Sequence, residues 1–386
     1  MKTTALFCLG VLLVFGTILA AQTPGPCLGV SRTAYVNWPQ FHSDVCHTGY
    51  NASEVVLSPS TVGTLVLDWK FRTGDSVFSS PAVANGVVYV GSYDHLVYAL
   101  NAATGAKLWE STTGGFVYSS PAVANGVVYV GSTDSNVYAL NAATGAKLWS
   151  FTTGGYVVSS PAVASGVVYV GADDGNVYAL DASTGAKLWS YGIGDSVSSS
   201  PAVANGVVYI GAYDGNVYAL NAATGAKLWN YTTGNSVFSS PAVANEVVYV
   251  SSTDQNVYAL NTATGAKLWS YTTGNVVGSS PAVANGVVYV GSFDGNVYAL
   301  NAATGAKLWS FTTGGYVGSA PAVANGVVYV DSYDLNVYAL NATTGAKLWS
   351  YATGGAVYIS SPAVANGVVY VGSHDNNLYA FHLPGQ

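Results

Sequence analysis

The sequence predicts an all-β fold, an eight-bladed β-propeller of four-stranded antiparallel blades, on three observations. A Pro-Ala-Val-Ala segment recurs every forty residues from Pro81 to Pro321 and once more at Pro362. The residues within one period have the composition of short strands and turns. The last repeat is incomplete, and a segment near the N-terminus has the composition of its missing part. A fixed period of this length is typical of architectures in which each unit packs only on its neighbours.

One repeat contains four apolar, β-branched and aromatic segments that are separated by turn residues. In the first repeat the predicted strands are residues 77–84, 87–92, 96–101 and 106–113. Asn85-Gly86 has the composition of a two-residue hairpin turn in which both central residues need positive φ. Helical periodicity is absent from the repeat, and Gly or Pro interrupts it every few residues. Four antiparallel strands per period describe one propeller blade.

The two ends of the chain are predicted to share a blade. The last repeat stops at its third strand, residues 377–382, and residues 65–72 have the pattern of the fourth. Joining them closes the ring and removes two exposed sheet edges. One extra residue near Ile359 predicts a β-bulge in this closing blade. An open solenoid of eight units is the alternative.

The third turn and the outer strand carry a family resemblance. Residues 99–109, Ala-Leu-Asn-Ala-Ala-Thr-Gly-Ala-Lys-Leu-Trp, resemble the tryptophan-docking motif of the pyrroloquinoline-quinone-type (quinoprotein-like) propellers. Residues 38–41, Trp-Pro-Gln-Phe, are similar to the lead-in of BamB-like members. In that family the indole is held between the Ala of its own motif and the Gly peptide of an adjacent blade. The resemblance therefore implies a structural role for Trp69, Trp109, Trp149, Trp189, Trp229, Trp269, Trp309 and Trp349.

The N-terminus predicts export. Lys2 precedes an apolar run over residues 6–20, and Ala20-Ala21 provides small residues for cleavage, so residues 1–21 are interpreted as a signal peptide. A retained anchor is the alternative. Turns shorten every later apolar run, so no transmembrane segment is expected in the mature chain. The expected organisation is this signal, a lead-in over residues 22–64 and the propeller over residues 65–386, in a periplasmic or extracellular protein.

The mature chain keeps one cysteine pair, Cys27 and Cys46. In an oxidising compartment these residues are expected to form a disulfide that holds the lead-in. A lipid anchor at Cys27, as in BamB itself, is less favoured because the preceding Pro-Gly-Pro does not resemble a lipobox. A metal site formed by the two cysteines with His42 and His47 is a further alternative, but the spacing matches no zinc pattern.

Composition and the resemblance together disfavour two functional classes. A net charge of −7 with only two arginines argues against nucleic-acid binding. Quinoprotein dehydrogenases of the resembling family are longer, and their added loops carry an adjacent Cys-Cys pair, a carboxylate base and calcium ligands. This chain has short turns and no Cys-Cys, so we expect no catalytic residue, no cofactor and no metal. A reduced quinone-dependent dehydrogenase and a purely structural surface protein remain the alternatives to a binding scaffold.

Charge is divided between the two faces of the predicted disc. Because strand direction alternates, the first and third turns lie on one face and the second turn on the other. The lysine face carries Lys107, Lys147, Lys187, Lys227, Lys267, Lys307 and Lys347 after the third turn. The aspartate face carries Asp94, Asp134, Asp174, Asp214, Asp254, Asp294, Asp334 and Asp375 in the second turn. The simpler interpretation is that these aspartates cap their own turns and the lysines only solvate the rim.

Variation between blades collects on the aspartate face. The candidate binding residues there are Phe78, Tyr93, Tyr118, Tyr156, Tyr213, Phe238, Phe293, Tyr316, Tyr333, Tyr358 and His374. Aromatic side chains offer flat apolar contacts with a polar tip, which suits recognition surfaces. We expect a monomeric ring that binds a protein, peptide or glycan over the channel on this face. The alternative is drift, since aromatic residues also pack well between blades.

Overall fold

The computed structural model describes residues 37–357 and 359–385. In this part of the chain one 3₁₀ turn, Val62–Thr64, accompanies 33 strands in eight sheets. The sixteen strands that follow β2 form four blades: β3 Ala82–Ala84, β4 Val87–Gly91, β5 Leu96–Asn101, β6 Lys107–Thr112, β7 Ala122–Ala124, β8 Val127–Gly131, β9 Asn136–Asn141, β10 Lys147–Thr152, β11 Ala162–Ala164, β12 Val167–Gly171, β13 Asn176–Asp181, β14 Lys187–Gly192, β15 Ala202–Ala204, β16 Val207–Gly211, β17 Asn216–Asn221 and β18 Lys227–Thr232.

The remaining strands complete the ring. They are β1 Tyr50–Asn51, β2 Val66–Arg72, β19 Ala242–Ala244, β20 Val247–Ser251, β21 Asn256–Asn261, β22 Lys267–Thr272, β23 Ala282–Ala284, β24 Val287–Gly291, β25 Asn296–Asn301, β26 Lys307–Thr312, β27 Ala322–Ala324, β28 Val327–Asp331, β29 Asn336–Asn341, β30 Lys347–Ala352, β31 Ala363–Ala365, β32 Val368–Gly372 and β33 Asn377–His382. Blades 1 to 7 are the successive groups of four from β3–β6 to β27–β30, and blade 8 consists of β31, β32, β33 and β2. The all-β, eight-bladed architecture predicted from the repeat is confirmed.

Each blade is an antiparallel meander whose first strand is innermost. The inner strands of neighbouring blades contact each other around the whole ring, including β31 with β3. In blade 8 the outermost strand is β2, which pairs antiparallel with β33 from Val66 opposite His382 to Arg72 opposite Asn377. The two ends of the described chain therefore lie in one sheet.

Two details differ from the sequence-based expectation. The inner strand starts at Ala82 rather than at Val77, because Pro81 lacks an N–H for the ladder and the preceding serines bond elsewhere. The extra residue near Ile359 does not form a β-bulge: it lies in the connection before β31, and β31 pairs with β32 in regular register. The irregularities occur instead in the outer strands, where Leu108 is skipped between the pairs of Lys107 and Trp109.

The indoles lie between blades. The indole N–H of Trp109 donates to the carbonyl of Ala142 in the next blade at 2.9 Å, and the Tyr89 hydroxyl donates to the same carbonyl at 3.2 Å. A Cβ on Gly145 would come within 2.7 Å of the Trp109 ring, so only glycine leaves room for the indole here. At the junction of blades 7 and 8 the split motif offers no equivalent carbonyl, and Trp349 donates to Leu65 instead at 2.9 Å.

The lead-in residues Trp38–Asn51 form a plug that circles the inside of the channel. The channel edge of each inner strand has a central valine, and the plug bonds to this valine in every blade. In blades 1 to 7 its N–H donates to an oxygen of the plug, and in blade 8 its carbonyl accepts from Asn51. The bonds join Trp38–Val83, Pro39–Val123, Gln40–Val163, Val45–Val203, Cys46–Val243, Thr48–Val283, Gly49–Val323 and Asn51–Val364, over 2.7 to 3.3 Å.

The plug follows this tight circle because several of its residues have left-handed backbone. His42, Ser43, His47 and Gly49 all have positive φ. At Gly49 an added Cβ would approach the Cβ of Ala282 to 2.7 Å, so this position needs glycine for space as well as for backbone freedom. The chain then crosses the lysine face, where Glu54 accepts the N–H of Gly367, and reaches β2.

Three titratable side chains of the plug lie in the channel: His42 and His47 are buried, and Asp44 is partly buried. Burial lowers the pKa of His42 to about 4 and that of His47 to about 3, the latter also because of the neighbouring His42. Burial raises the pKa of Asp44 to about 6, although Thr48 and backbone N–H groups donate hydrogen bonds to it. The channel therefore shifts all three pKa values in the direction that extends the pH range of the neutral form.

We predict that mild acid destabilises the plug through the two histidines. In the unfolded chain each histidine binds a proton below about pH 6.5, whereas in the fold the protons bind only near pH 4 and pH 3. The histidines thus stabilise the fold above about pH 6.5, and this contribution falls as the pH drops toward 4. Asp44 has the opposite effect between about pH 6 and pH 4, but one carboxyl offsets only one of two imidazoles.

The measurement is the difference in melting temperature between pH 7 and pH 5. His42→Gln and His47→Gln should reduce this difference, whereas His95→Gln on the aspartate face is the control that should leave it unchanged. A parent-like difference in both plug variants would contradict the assignment.

Candidate functional site

A cavity of about 520 Å³ lies over the channel and opens on the aspartate face. Its floor includes Phe41, which the plug places in the middle of the ring. Around the floor stands a collar of serine side chains, and above the collar stand side chains from the entries to the inner strands and from the second turns. The plug fills the channel below Phe41, so the cavity is closed toward the lysine face.

The serine collar is a circular hydrogen-bond network. In seven of the eight steps around the ring, the backbone N–H at the collar position donates to the serine hydroxyl of the next blade, at 2.8 to 3.0 Å. The collar positions are Ser80, Ser120, Ser160, Ser200, Ser240, Ser280, Ala320 and Ser361. A serine hydroxyl that accepts a bond still has its own hydrogen to donate. The collar therefore offers donors to a ligand in the cavity.

Two variable positions meet above the collar at each junction between blades. One is the residue before the turn aspartate, and the other is the entry residue of the next blade's inner strand. Aromatic residues meet at three junctions: His374 with Phe78 at 4.1 Å, Tyr93 with Tyr118 at 4.7 Å and Tyr213 with Phe238 at 4.4 Å between ring centroids. At the junction of blades 3 and 4 the hydroxyl of Ser198 donates to Asp173 at 3.2 Å. At these four junctions the two positions match in character, whereas the position paired with Phe293 holds a glycine.

The aromatic residues form two further groups. Phe78 lies between Tyr93 and Tyr118, and Tyr93 stacks on Phe116 at 4.7 Å, so blades 8, 1 and 2 share one aromatic wall. On the other side of the mouth Phe293 stacks on Tyr316 at 5.4 Å, and Tyr316 approaches Tyr333 at 6.0 Å. The entry residues of the two blades that carry this second group are glycines, at 278 and 318, and both line the cavity.

The structure places the predicted binding residues in three locations. Those that line the cavity are Phe78, Tyr118, Tyr213, Phe238 and Phe293. Those about half exposed on the surrounding rim are Tyr156, Tyr316 and Tyr333. Tyr93 and His374 are partly buried in the aromatic wall. Tyr358 lies outside the described residues.

Some cavity residues are missing from the sequence-based set. Asp173 and Ser198 occupy the same two positions as the predicted aromatic pairs, so the departure of blade 3 from its neighbours was the available signal. The collar serines are repeated in almost every blade, which favours a structural interpretation and conceals that they line the cavity. Nothing in the sequence indicates that Phe41 reaches the channel axis.

The turn aspartates serve the fold. The carboxylate of Asp94 accepts the N–H of Leu96 in its own turn, the Tyr98 hydroxyl, and the N–H of Gly74 from the preceding blade. Seven of the eight aspartates accept such an N–H from the preceding connection. Burial alone would raise the pKa of Asp134, but hydrogen bonds from Tyr138 and from backbone N–H groups outweigh it and lower the pKa. The same balance lowers the pKa of Asp174, Asp294 and Asp334, so these four carboxylates are charged at neutral pH.

The remaining predicted residues lie in or before the plug. Cys46 is disulfide-bonded, but the predicted partner Cys27 lies outside the described residues, so the pairing stays a prediction. Residues 1–21 also lie outside them. Among residues 37–357 and 359–385 no group of three or more His, Cys, Asp and Glu side chains could hold a metal ion. The same residues contain no helix long and apolar enough to cross a membrane.

Comparison with known proteins decides the family. The family described as "Outer membrane protein assembly factor BamB" matches residues 53–200, 173–277 and 264–385, which together span most of the chain. The chain belongs to this BamB-like family of quinoprotein-type propellers. One curated protein, the uncharacterized protein YxaL of Bacillus subtilis (strain 168), is 42% identical over 50 residues. That match spans only 13% of this chain and 12% of YxaL.

Solved structures with the same fold include a BamB, alcohol dehydrogenases and a designed protein. BamB from Moraxella catarrhalis is 22% identical, with a TM-score of 0.73 over 83% of this chain and 100% of that chain. A quinohemoprotein alcohol dehydrogenase from Comamonas testosteroni is 17% identical, with a TM-score of 0.80 over 91% of this chain and 81% of that chain. The computationally designed Ika8 protein is 20% identical, with a TM-score of 0.74 over 81% of this chain and 98% of that chain. At these identities the likeness concerns the fold alone.

The lining of the cavity does not fit pyrroloquinoline quinone, the cofactor that the dehydrogenase relatives suggest. This quinone is a polycarboxylate, and a site for it needs cationic side chains or a bound cation to offset its charge. Among the described residues, the cavity lining contains no lysine or arginine, and its one charged side chain is the carboxylate of Asp173. The cavity therefore offers no cationic side chain, and one carboxylate is too few to hold a charge-balancing cation.

The interrupted serine collar yields a stability prediction. At position 320 the collar has alanine, so the N–H of Ser280 meets no hydroxyl from the next blade. Ala320→Ser should complete the circle and raise the free energy of unfolding by about 0.5–1.5 kcal/mol. Ser120→Ala is the matched opposite change: it removes the acceptor of a buried N–H and should cost about 1–3 kcal/mol. Denaturant midpoints measure both, and a destabilised Ala320→Ser would show that the collar has no room for an eighth hydroxyl.

Proposed function

We propose that this chain is an exported, non-catalytic binding propeller of the cell envelope that holds a partner polypeptide on its aspartate face. The observation that carries the proposal is the cavity at the mouth of the channel. It combines aromatic faces, serine hydroxyls and a carboxylate, the mixture of flat apolar and polar groups found at recognition sites. The plug closes the cavity from below, so a partner has access only from this face.

Family membership supports a role as a scaffold. The matching family is described as an outer membrane protein assembly factor. The propeller of this chain matches the full length of the Moraxella catarrhalis BamB chain. The lysine face has less variation to offer a specific partner, because its turns need positive φ at nearly fixed positions such as Asn85-Gly86. The aspartate face is where neighbouring blades differ.

The partner is sought by crosslinked pull-down of the mature protein from its native envelope or medium. Replacing Tyr93, Tyr213 and Tyr333 with Ser should abolish recovery of the partner, because these rings contribute apolar contact area at the mouth. The melting temperature is measured alongside, so that a loss of recovery is not a loss of fold. The matched control replaces Lys107, Lys187 and Lys267 with Glu on the opposite face. If only the lysine variant loses the partner, the binding face has been assigned the wrong way round.

The enzyme alternative has its own test. A quinone-dependent dehydrogenase is favoured only by fold likeness, and the charge of the cavity opposes it. We expect that the protein incubated with pyrroloquinoline quinone and calcium shows neither saturable quinone absorbance nor dye-linked oxidation of alcohols or sugars. Asp173→Asn, which removes the carboxylate from the cavity, should show the same lack of turnover. Saturable quinone absorbance together with turnover would contradict the scaffold proposal and support a quinone-dependent dehydrogenase.

A further inference from the structure

Among the described residues that line the cavity at the mouth of the channel, one side chain is formally charged, and that charge is negative. The other lining groups are aromatic rings, serine hydroxyls, and small or aliphatic residues. Asp173 stands where the neighbouring blade has Tyr213, so its carboxylate lies at the level of the aromatic rings and above the collar. A ligand in the cavity therefore meets aromatic faces and one carboxylate together.

Hydrogen bonds hold this carboxylate in position. The hydroxyls of Ser196 and Ser198 both donate to Oδ1 of Asp173, at 2.5 and 3.2 Å. The other oxygen, Oδ2, accepts no hydrogen bond from any residue in the described part of the chain. One oxygen thus orients the group while the second is available to a ligand, which reduces the ordering cost of an ion pair.

The surroundings add negative potential to the cavity. The turn aspartates circle its mouth, and Asp75 and Asp195 are exposed on the connections at the same face. The lysines from Lys107 onward begin the outer strands at the opposite face, and Lys70 and Arg72 lie on the outermost strand β2. A cleft lined by one sign of charge attracts the opposite sign. Aromatic faces also attract cations, and more strongly where water is excluded.

We infer that the cavity accepts a basic side chain, the guanidinium or ammonium group of an arginine or lysine on the partner polypeptide. The cation would pair with Oδ2 of Asp173 and rest against the aromatic faces of Tyr213 and Phe238. The stem of the basic side chain would contact the apolar wall, and the serine collar would meet the polar backbone beside it. This inference rests on the proposed function, since it names the group by which a polypeptide engages the same face.

The experiment uses the whole mature protein and a short probe. Acetyl-Gly-Arg-Gly-amide is titrated into the protein by calorimetry at low and at physiological ionic strength. The control peptide has citrulline in place of arginine, which keeps the shape of the side chain and removes its charge. We expect saturable binding of the arginine peptide, weaker binding at higher salt, and at least about tenfold weaker binding of the citrulline peptide.

Two variants that each remove one negative charge locate the site. Asp173→Asn should weaken the arginine peptide about tenfold, because a charge-assisted hydrogen bond is lost. Asp195→Asn removes an exposed carboxylate of the same face outside the cavity lining and should change affinity by less than about twofold. Phe238→Leu keeps the charge and removes one aromatic face, and it should weaken the arginine peptide severalfold. Melting temperatures confirm that each variant is folded.

Equal binding of the arginine and citrulline peptides, or equal weakening by Asp173→Asn and Asp195→Asn, would overturn the inference. So would the absence of binding at millimolar peptide. If the tyrosine variants still lose the native partner in the pull-down, the aspartate face remains the binding face and only the basic-group assignment fails. If the arginine peptide binds but the tyrosine variants retain the partner, the cavity site stands and the partner engages another surface.

Discussion

The architecture depends on how the channel edges of eight inner strands are satisfied. Each inner strand is three residues long, and its central valine presents a backbone group to a channel that admits little water once the blades meet. Buried backbone groups without partners cost about 1–3 kcal/mol each. A single stretch of chain supplies a partner in every blade, from Trp38 at blade 1 to Asn51 at blade 8. The lead-in is therefore an integral part of the ring, because it supplies hydrogen-bond partners to the inner strands of all eight blades.

The plug also decides where a ligand can bind. It lies below the serine collar and fills the channel toward the lysine face, and it places Phe41 as the floor of the remaining space. An eight-bladed ring without this segment would have an open channel with symmetric walls. With it, the ring has one blind cavity, and the variable residues of the aspartate face surround its mouth. The plug therefore both completes the hydrogen bonding of the ring and shapes the cavity.

The repeat made most of the fold predictable. Strand order, blade number and hairpin turns follow from local patterns, such as Asn85-Gly86, whose positive φ values the structure shows. The cavity was only partly predictable. The exposed aromatic positions stood out because they vary between blades, but Phe41 is placed by long-range hydrogen bonds that no local pattern records. Asp173 and Ser198 stand at the same variable positions, but the candidate set followed the aromatic residues, and no local pattern shows that these two side chains meet across a blade junction. The inserted residue near Ile359 was misassigned because sequence alone does not distinguish a strand from the connection before it.

Because the blades are nearly identical, molecules could exchange outer strands with one another, and the plug opposes this exchange. Any outer strand of one molecule has nearly the right side chains to complete blade 8 of another, which is the usual route to domain-swapped dimers and longer chains. In this molecule residues 52–65 join β2 to the plug, so β2 can leave blade 8 only as far as this connection allows while residues 38–51 keep their hydrogen bonds with all eight blades. The lead-in thereby places a kinetic barrier in front of strand exchange. A ring of nearly identical blades stays closed because the plug, which is not repeated, restrains β2 in blade 8.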